Sequence, residues 1–177
     1  MKKIAKILFL SASLFCTTAC SDFLDQTAPS EQPRENVFES TFFTELAVNK
    51  LYGLMTQDAT YSRDIPIVLS TNSDCELVDG LGTDANNTTH ERGAMNYNVS
   101  PGWSKLSNVW DAMYSIIENA NLIVEGIDKS SLLMSGDSDQ RAMERFKGEA
   151  LTIRAMVYFD LIRLFGDIPY KSESSNP

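Results

Sequence analysis

The stretch "RFKGEALTIRAMVYFDLIRLFGDIPY", residues 145–170, decides the fold. At about 100° per residue, Ala150, Ile153, Val157, Leu161 and Leu164 fall on one side of a helix. Leu151, Ala155, Tyr158, Phe159, Ile162 and Phe165 fall on another. Asp160, Arg163 and Asp167 share the polar strip that remains, with Asp160 and Arg163 three apart and able to pair. The pattern predicts a helix over 140–165, stopped by Gly166 and followed by a turn at Pro169. A helix with two apolar sides needs cover on both. That is the behaviour of an inner helix in a layered helical array. Seven residues follow Tyr170, so the second cover is expected from polypeptide beyond this chain. Each large apolar side chain left open forgoes roughly 1.5–3 kcal/mol, so the chain alone is expected to be marginally stable.

Two more helices precede this one. The first is predicted over 41–57, capped by Ser40 or Thr41, with Phe43, Leu46, Ala47, Leu51 and Leu54 on its inner face. The second is predicted over 101–127, where Ser100-Pro101 gives the start signal. Its stripe is Leu106, Val109, Trp110, Met113, Ile117, Ala120 and Val124. "DKSSLLMSGDSD", residues 128–139, is a polar connection with a short apolar plug. Residues 58–103 lack helical periodicity and contain Gly80, Gly82, Gly93 and Gly102. Within them "IPIVLS" suits a short strand. Long ordered loops on a helical scaffold often carry binding residues. The fold class is therefore all-α: a helical array with one long irregular loop.

The N-terminus reads as export. "MKKIAK" is basic, "ILFLSASLFC" is apolar but short for a bilayer span, and "TTAC" leads into Cys20. Small residues directly before a cysteine resemble a bacterial lipoprotein box, with Thr17 in place of the usual Leu. Residues 1–19 are then the signal peptide, Cys20 is the lipidated N-terminus, 20–39 a polar tether and 40–177 the helical domain. The chain is anchored to a membrane rather than spanning it. An ordinary secreted protein with an incidental Cys20 is the alternative. Removing 1–19 takes away three lysines and no acid, leaving 12 basic against 24 acidic residues, near −12. Such a surface excludes a nucleic-acid partner, which needs basic patches. Of three cysteines only Cys75 remains as a thiol after processing, so no internal disulfide frame exists.

Templates for catalysis fail in turn. "HERGA" begins like a zinc-protease helix, but His90 is the only histidine. Phosphate-loop and dinucleotide-binding glycine patterns are absent, and no cofactor is expected. Asp74, Glu76, Asp79 and Asp84 share one loop, but their spacing lacks the glycine and terminal glutamate of an EF-hand. A solvated acidic loop fits them better than a calcium or other metal site. Trp103, Tyr97 and Asn96, with Tyr61 and Asn98, are the binding candidates. Aromatic faces stack on the C–H groups of sugar rings while amides bond hydroxyls. The competing reading has Trp103 packing at the start of the second helix.

Two segments carry a family resemblance. "VWDAMYSIIENANLIVEGI" supplies Trp110, Tyr114, Ile117 and Asn121 in a W-x-x-x-Y-x-x-I-x-x-x-N arrangement. "RFKGEALTIRAMVYFDLIRLFGDIPY" supplies Gly148, Glu149, Ala150, Arg154, Ala155, Tyr158, Phe159 and Leu161, then the Phe165, Gly166, Asp167, Pro169 turn. With the "CSDFLDQ" start at Cys20, the chain resembles the N-terminal portion of the SusD/RagB family. The resemblance implies a tetratricopeptide-like helical fold and a surface lipoprotein of the outer membrane. It implies binding of glycan or another nutrient, as a lid over a SusC-like TonB-dependent transporter, without enzymatic activity. Family members usually run to several hundred residues, so the resemblance also implies a fragment. A helical protein-interaction scaffold without a ligand site of its own is the second reading.

Overall fold

The computed structural model describes residues 34–70, 101–134 and 136–175. Its helices are α1 (Arg34–Val37), α2 (Thr41–Met55), α3 (Asp64–Ser70), α4 (Ser104–Lys129) and α5 (Asp137–Phe165). A π-type turn (Asp58–Ser62) links α2 to α3, and a 3-10 turn (Ser131–Met134) links α4 to α5. No strand occurs among the described residues, so the all-α class holds.

The "IPIVLS" strand is corrected: these residues form α3 with Asp64. Its four β-branched or aliphatic residues, Ile65, Ile67, Val68 and Leu69, fit either period. Pro66 sits in the first turn, where its missing N–H costs nothing. The inner face of α2 is also corrected, because it is Thr44, Val48 and Leu51 that are buried. Phe43 and Leu46 are exposed. A threonine can lie inside because its hydroxyl is satisfied locally, donating to Ser40 O at 2.9 Å and Val37 O at 3.3 Å. Ser40 is the N-cap residue, but no side chain caps the helix.

Helix α4 starts at Ser104, after a Pro101–Gly102 turn, with Trp103 as N-cap residue. Helix α5 ends as expected, and Gly166 takes φ 77°, a left-handed conformation that glycine adopts without strain. Its N–H donates to Ile162 O at 3.0 Å.

Helices α4 and α5 run antiparallel. Trp110 meets Phe165 edge-on at 5.0 Å, Arg154 reaches Asn121, and Lys147 reaches Asp128. Helix α2 runs alongside α5, with Tyr52 bonded to Glu149 and, beyond it, Tyr61 bonded to Asp160. Val109, Met113, Ile117 and Ala120 from α4, Ala150, Val157 and Leu161 from α5, and Leu51 from α2 fill the core without exposed surface.

The folded part takes in residues 34–39, which the sequence reading assigns to the tether. Phe38 lies on Gly126, whose missing side chain makes the room: a Cβ there would come within 2.1 Å of the Phe38 ring. Ser130 Oγ donates to Phe38 O at 2.6 Å, and Ser131 N–H donates to Glu39 Oε1 at 3.0 Å. Chain entry is thus clipped to the C-terminal end of α4.

Candidate functional site

The first side of α5 faces α2 and α4, as its spacing predicts. The second side is covered only in part. After Gly166 the chain turns back and crosses α4 and α5 as a strap, residues 168–175. Side chains hold it by its main chain. Tyr114 Oη donates to Pro169 O at 2.7 Å. Tyr158 Oη donates to Lys171 O at 3.0 Å and accepts from Lys171 N–H at 2.7 Å. Asn121 Nδ2 donates to Lys171 O at 3.2 Å and Glu173 O at 3.0 Å. Its Oδ1 accepts from Arg154 Nη1 at 2.7 Å, which fixes the amide orientation. Glu125 accepts from Ser174 N–H and Oγ, both at 2.6 Å. Glu118 accepts from Ser175 N–H at 2.7 Å.

Asn121 has no exposed surface, and its three bonds engage both its amide nitrogen and its amide oxygen. The residues that carry the resemblance therefore have a structural task. Trp110 packs against Tyr114 and Phe165, while Tyr114, Asn121, Arg154 and Tyr158 fasten the strap. Sequence reasoning sorted these residues into a pattern without finding that role. The available signal was two polar residues, Asn121 and Arg154, facing each other on mainly apolar helices.

Beside the strap lies an open groove of about 490 Å³. Leu151, Ala155, Tyr158, Phe159 and Ile162 from α5 line it, with Ile168 and Tyr170 from the strap and Arg154 at its edge. Tyr158 and Tyr170 pack at 5.2 Å between ring centres. Phe159 and Ile162 stand 61% and 56% exposed, an unusual state for such side chains. The lining is mainly apolar, the Tyr158 hydroxyl is held by Lys171, and Nη1 of Arg154 is held by Asn121. The groove therefore suits an apolar surface better than a sugar, which needs several converging donors and acceptors.

Two charged clusters brace the start of the long loop, one of them at Asp160 on α5. Asp160, 8% exposed, accepts from Tyr61 Oη at 2.8 Å and Arg163 Nη1 at 3.0 Å. The expected Asp160–Arg163 pair is thus present. Burial and the bond to Asp160 hold the Tyr61 phenol well above its ordinary pKa. Asp64, 2% exposed, accepts from Arg63 Nε at 2.8 Å and Lys105 Nζ at 3.1 Å. Burial works to raise its pKa, and these cations outweigh burial, leaving the carboxyl below its ordinary range.

Of the predicted binding residues, Trp103 is 7% exposed, so its surroundings fit the packing alternative. Tyr61 is half-buried and its hydroxyl is bound to Asp160. Tyr97, Asn96 and Asn98 lie outside the described residues, as do Cys20, Cys75, His90 and the acidic group Asp74, Glu76, Asp79 and Asp84. Among the described residues no three His, Cys, Asp or Glu side chains gather as a metal site. No described helix is long and apolar enough to cross a membrane.

The family described as SusD-like, "Starch-binding associating with outer membrane", matches residues 22–177. The chain belongs to the SusD-like family. Among its relatives is SusD-like protein P2 of Formosa agariphila, 28% identical over 96% of this chain and 31% of that protein. SusD-like protein P25 of the same organism is 26% identical, over 97% of this chain and 32% of its own length. A SusD-like protein of Bacteroides ovatus is 24% identical, over 93% and 28%. The chain spans about a third of the length of these curated relatives. No solved structure matches it.

Proposed function

We propose that this chain is the N-terminal helical portion of a surface-exposed outer-membrane lipoprotein of SusD type. It binds glycan or another nutrient and passes it to a SusC-like TonB-dependent transporter, without catalysis of its own. The observation that carries this reading is the family match, which runs from residue 22 to residue 177. The small residues before Cys20 support a lipid anchor there, on the outer face of the membrane. Coverage of a third of each relative supports a longer working polypeptide, with this chain as its first part. Ligand contacts are assigned to Tyr97 and Asn96, with Trp103 packed at the start of α4.

Labelled palmitate tests the anchor: incorporation is expected in the parent chain and lost in Cys20→Ala. Equal labelling of both removes the anchor. Pull-down from outer membranes is expected to recover a large β-barrel partner, and repeated recovery of none overturns the transporter role. A second reading, a helical interaction scaffold, draws on the groove along α5, whose lining is mainly apolar. Binding on a glycan array that Tyr97→Ala abolishes rejects the scaffold; silence on the array with retained protein partners favours it.

A further inference from the structure

Three glutamates each hold a serine in the same way. One carboxylate oxygen accepts the serine's main-chain N–H and the other accepts its hydroxyl. Glu39 takes Ser131 N–H at 3.0 Å together with Ser131 Oγ. Glu125 takes Ser174 N–H and Oγ, both at 2.6 Å. Glu118 takes Ser175 N–H at 2.7 Å and Oγ at 3.2 Å. The first of these latches pins the entering segment to the turn after α4. The other two pin the far end of the strap to α4. The buried carboxylates Asp64 and Asp160 are held differently, each by a cation.

An ionised carboxylate only accepts, and its bonds are stronger than neutral ones. A proton on either oxygen sets a new O–H against a serine donor. The serine hydroxyl can reverse, but the main-chain N–H cannot. Protonation therefore turns a charged latch into a weaker neutral one. We propose that these three latches form an acid-sensitive release, in which protonation frees the entering segment and the strap while the helical core stays packed. The neighbouring charges fit this. Lys171 Nζ lies 3.8 Å from Glu118 Oε2, and Arg154 Nη1 lies 3.4 Å from Ser172 O. Asp128 and Lys129 end α4 just before the Ser131 turn, and Lys147 of α5 reaches Asp128. Lysine and arginine stay charged throughout the acid range, and the phenols of Tyr114 and Tyr158 ionise only in alkali. Titration there falls on carboxyls. Glu173, the strap's own carboxyl, is exposed and joins the fastening through its main-chain oxygen. The Ser131 hydroxyl and N–H hold Glu39 below the ordinary carboxylate range. A depressed folded value means that its contribution is complete at neutral pH and is lost as pH falls through that value. The proposal is independent of the function proposed above.

Amide exchange on the full chain, followed from neutral solution to about pH 3.5 and corrected for its intrinsic pH dependence, tests it. Protection at Ser131, Ser174 and Ser175 is expected to fall at least about tenfold across that range. The interior amides of α4 and α5 and the near-ultraviolet circular dichroism are expected to hold. Glu118→Gln with Glu125→Gln leaves each strap latch in a neutral form at every pH. This pair is expected to loosen Ser174 and Ser175 in neutral solution and to remove their acid response, with Ser131 unchanged. Glu39→Gln is expected to do the same at Ser131 alone. Serine protection that does not change across the range overturns the proposal. So does an acid response that survives the glutamine variants, because other groups are then titrating. Loss of the core at the same pH as the latches also overturns it, because the event is then global acid unfolding.

Discussion

Asn121→Leu removes the centre of the strap's fastening while keeping side-chain size. Two amide bonds to Lys171 O and Glu173 O go, at about 0.5–1.5 kcal/mol each. The charge-assisted bond from Arg154 goes too, at about 1.5–3 kcal/mol. Arg154 keeps a long contact to Ser172 O at 3.4 Å, and Lys171 keeps both bonds to Tyr158, so part of the loss is recovered. A net cost of about 3 kcal/mol is expected. Lys171 and Glu173 are exposed, so water takes over their carbonyls once the strap lifts. The damage therefore falls on the opening of the strap before it reaches the core. Amide exchange at Lys171, Ser174 and Ser175 should accelerate roughly a hundredfold, since each 1.36 kcal/mol is a factor of ten. Trypsin, which cuts after lysine, should cleave at Lys171 early. The main thermal transition should fall by less than the strap does. Unchanged exchange in the strap with a large drop in the main transition would refute the reasoning, because Asn121 would then act only as core filling.

Gly126→Ala places a methyl group inside the ring of Phe38. It is expected to cost about 1–3 kcal/mol by overpacking, against about 1 kcal/mol gained in helix propensity, so the melting temperature falls. Phe38→Ala with Gly126→Ala should show less than the sum of the two separate losses. Alkaline unfolding tests Tyr61. Its folded pKa is raised, so its contribution to stability is complete below the ordinary phenol value near 10 and is lost as pH rises beyond it. Denaturant titrations in that alkaline range should show stability declining more gently in Tyr61→Phe than in the parent; an identical slope removes Tyr61 as the titrating group.

The architecture was legible where periodicity was long. Over twenty-nine residues of α5 the two apolar sides and the Gly166 stop could be read directly. Short or locally satisfied segments misled. The buried face of α2 lies about one position from the expected one, because Thr44 can go inside with its hydroxyl satisfied by the preceding turn. The few residues of α3 were too short to separate helix from strand. The strap was not legible, because what Asn121, Tyr158 and Glu125 hold is mostly main chain, which every sequence carries alike. Phe38 and Gly126 are eighty-eight positions apart in the chain, and no local pattern announces their contact.

The strap meets α4 on one face of that helix, at Tyr114, Glu118, Asn121 and Glu125, which follow one another at spacings of four, three and four. Past a bend at Glu173 the strap reaches Glu125 through Ser174 and returns to Glu118 through Ser175. Ser172 and Glu173 can change side chain freely, because the bonds there are read from the backbone. Adding or deleting one residue between Gly166 and Ser174 shifts the later contacts by about 3.3 Å, more than a hydrogen bond tolerates. The spacing of this segment is therefore under tighter constraint than its composition.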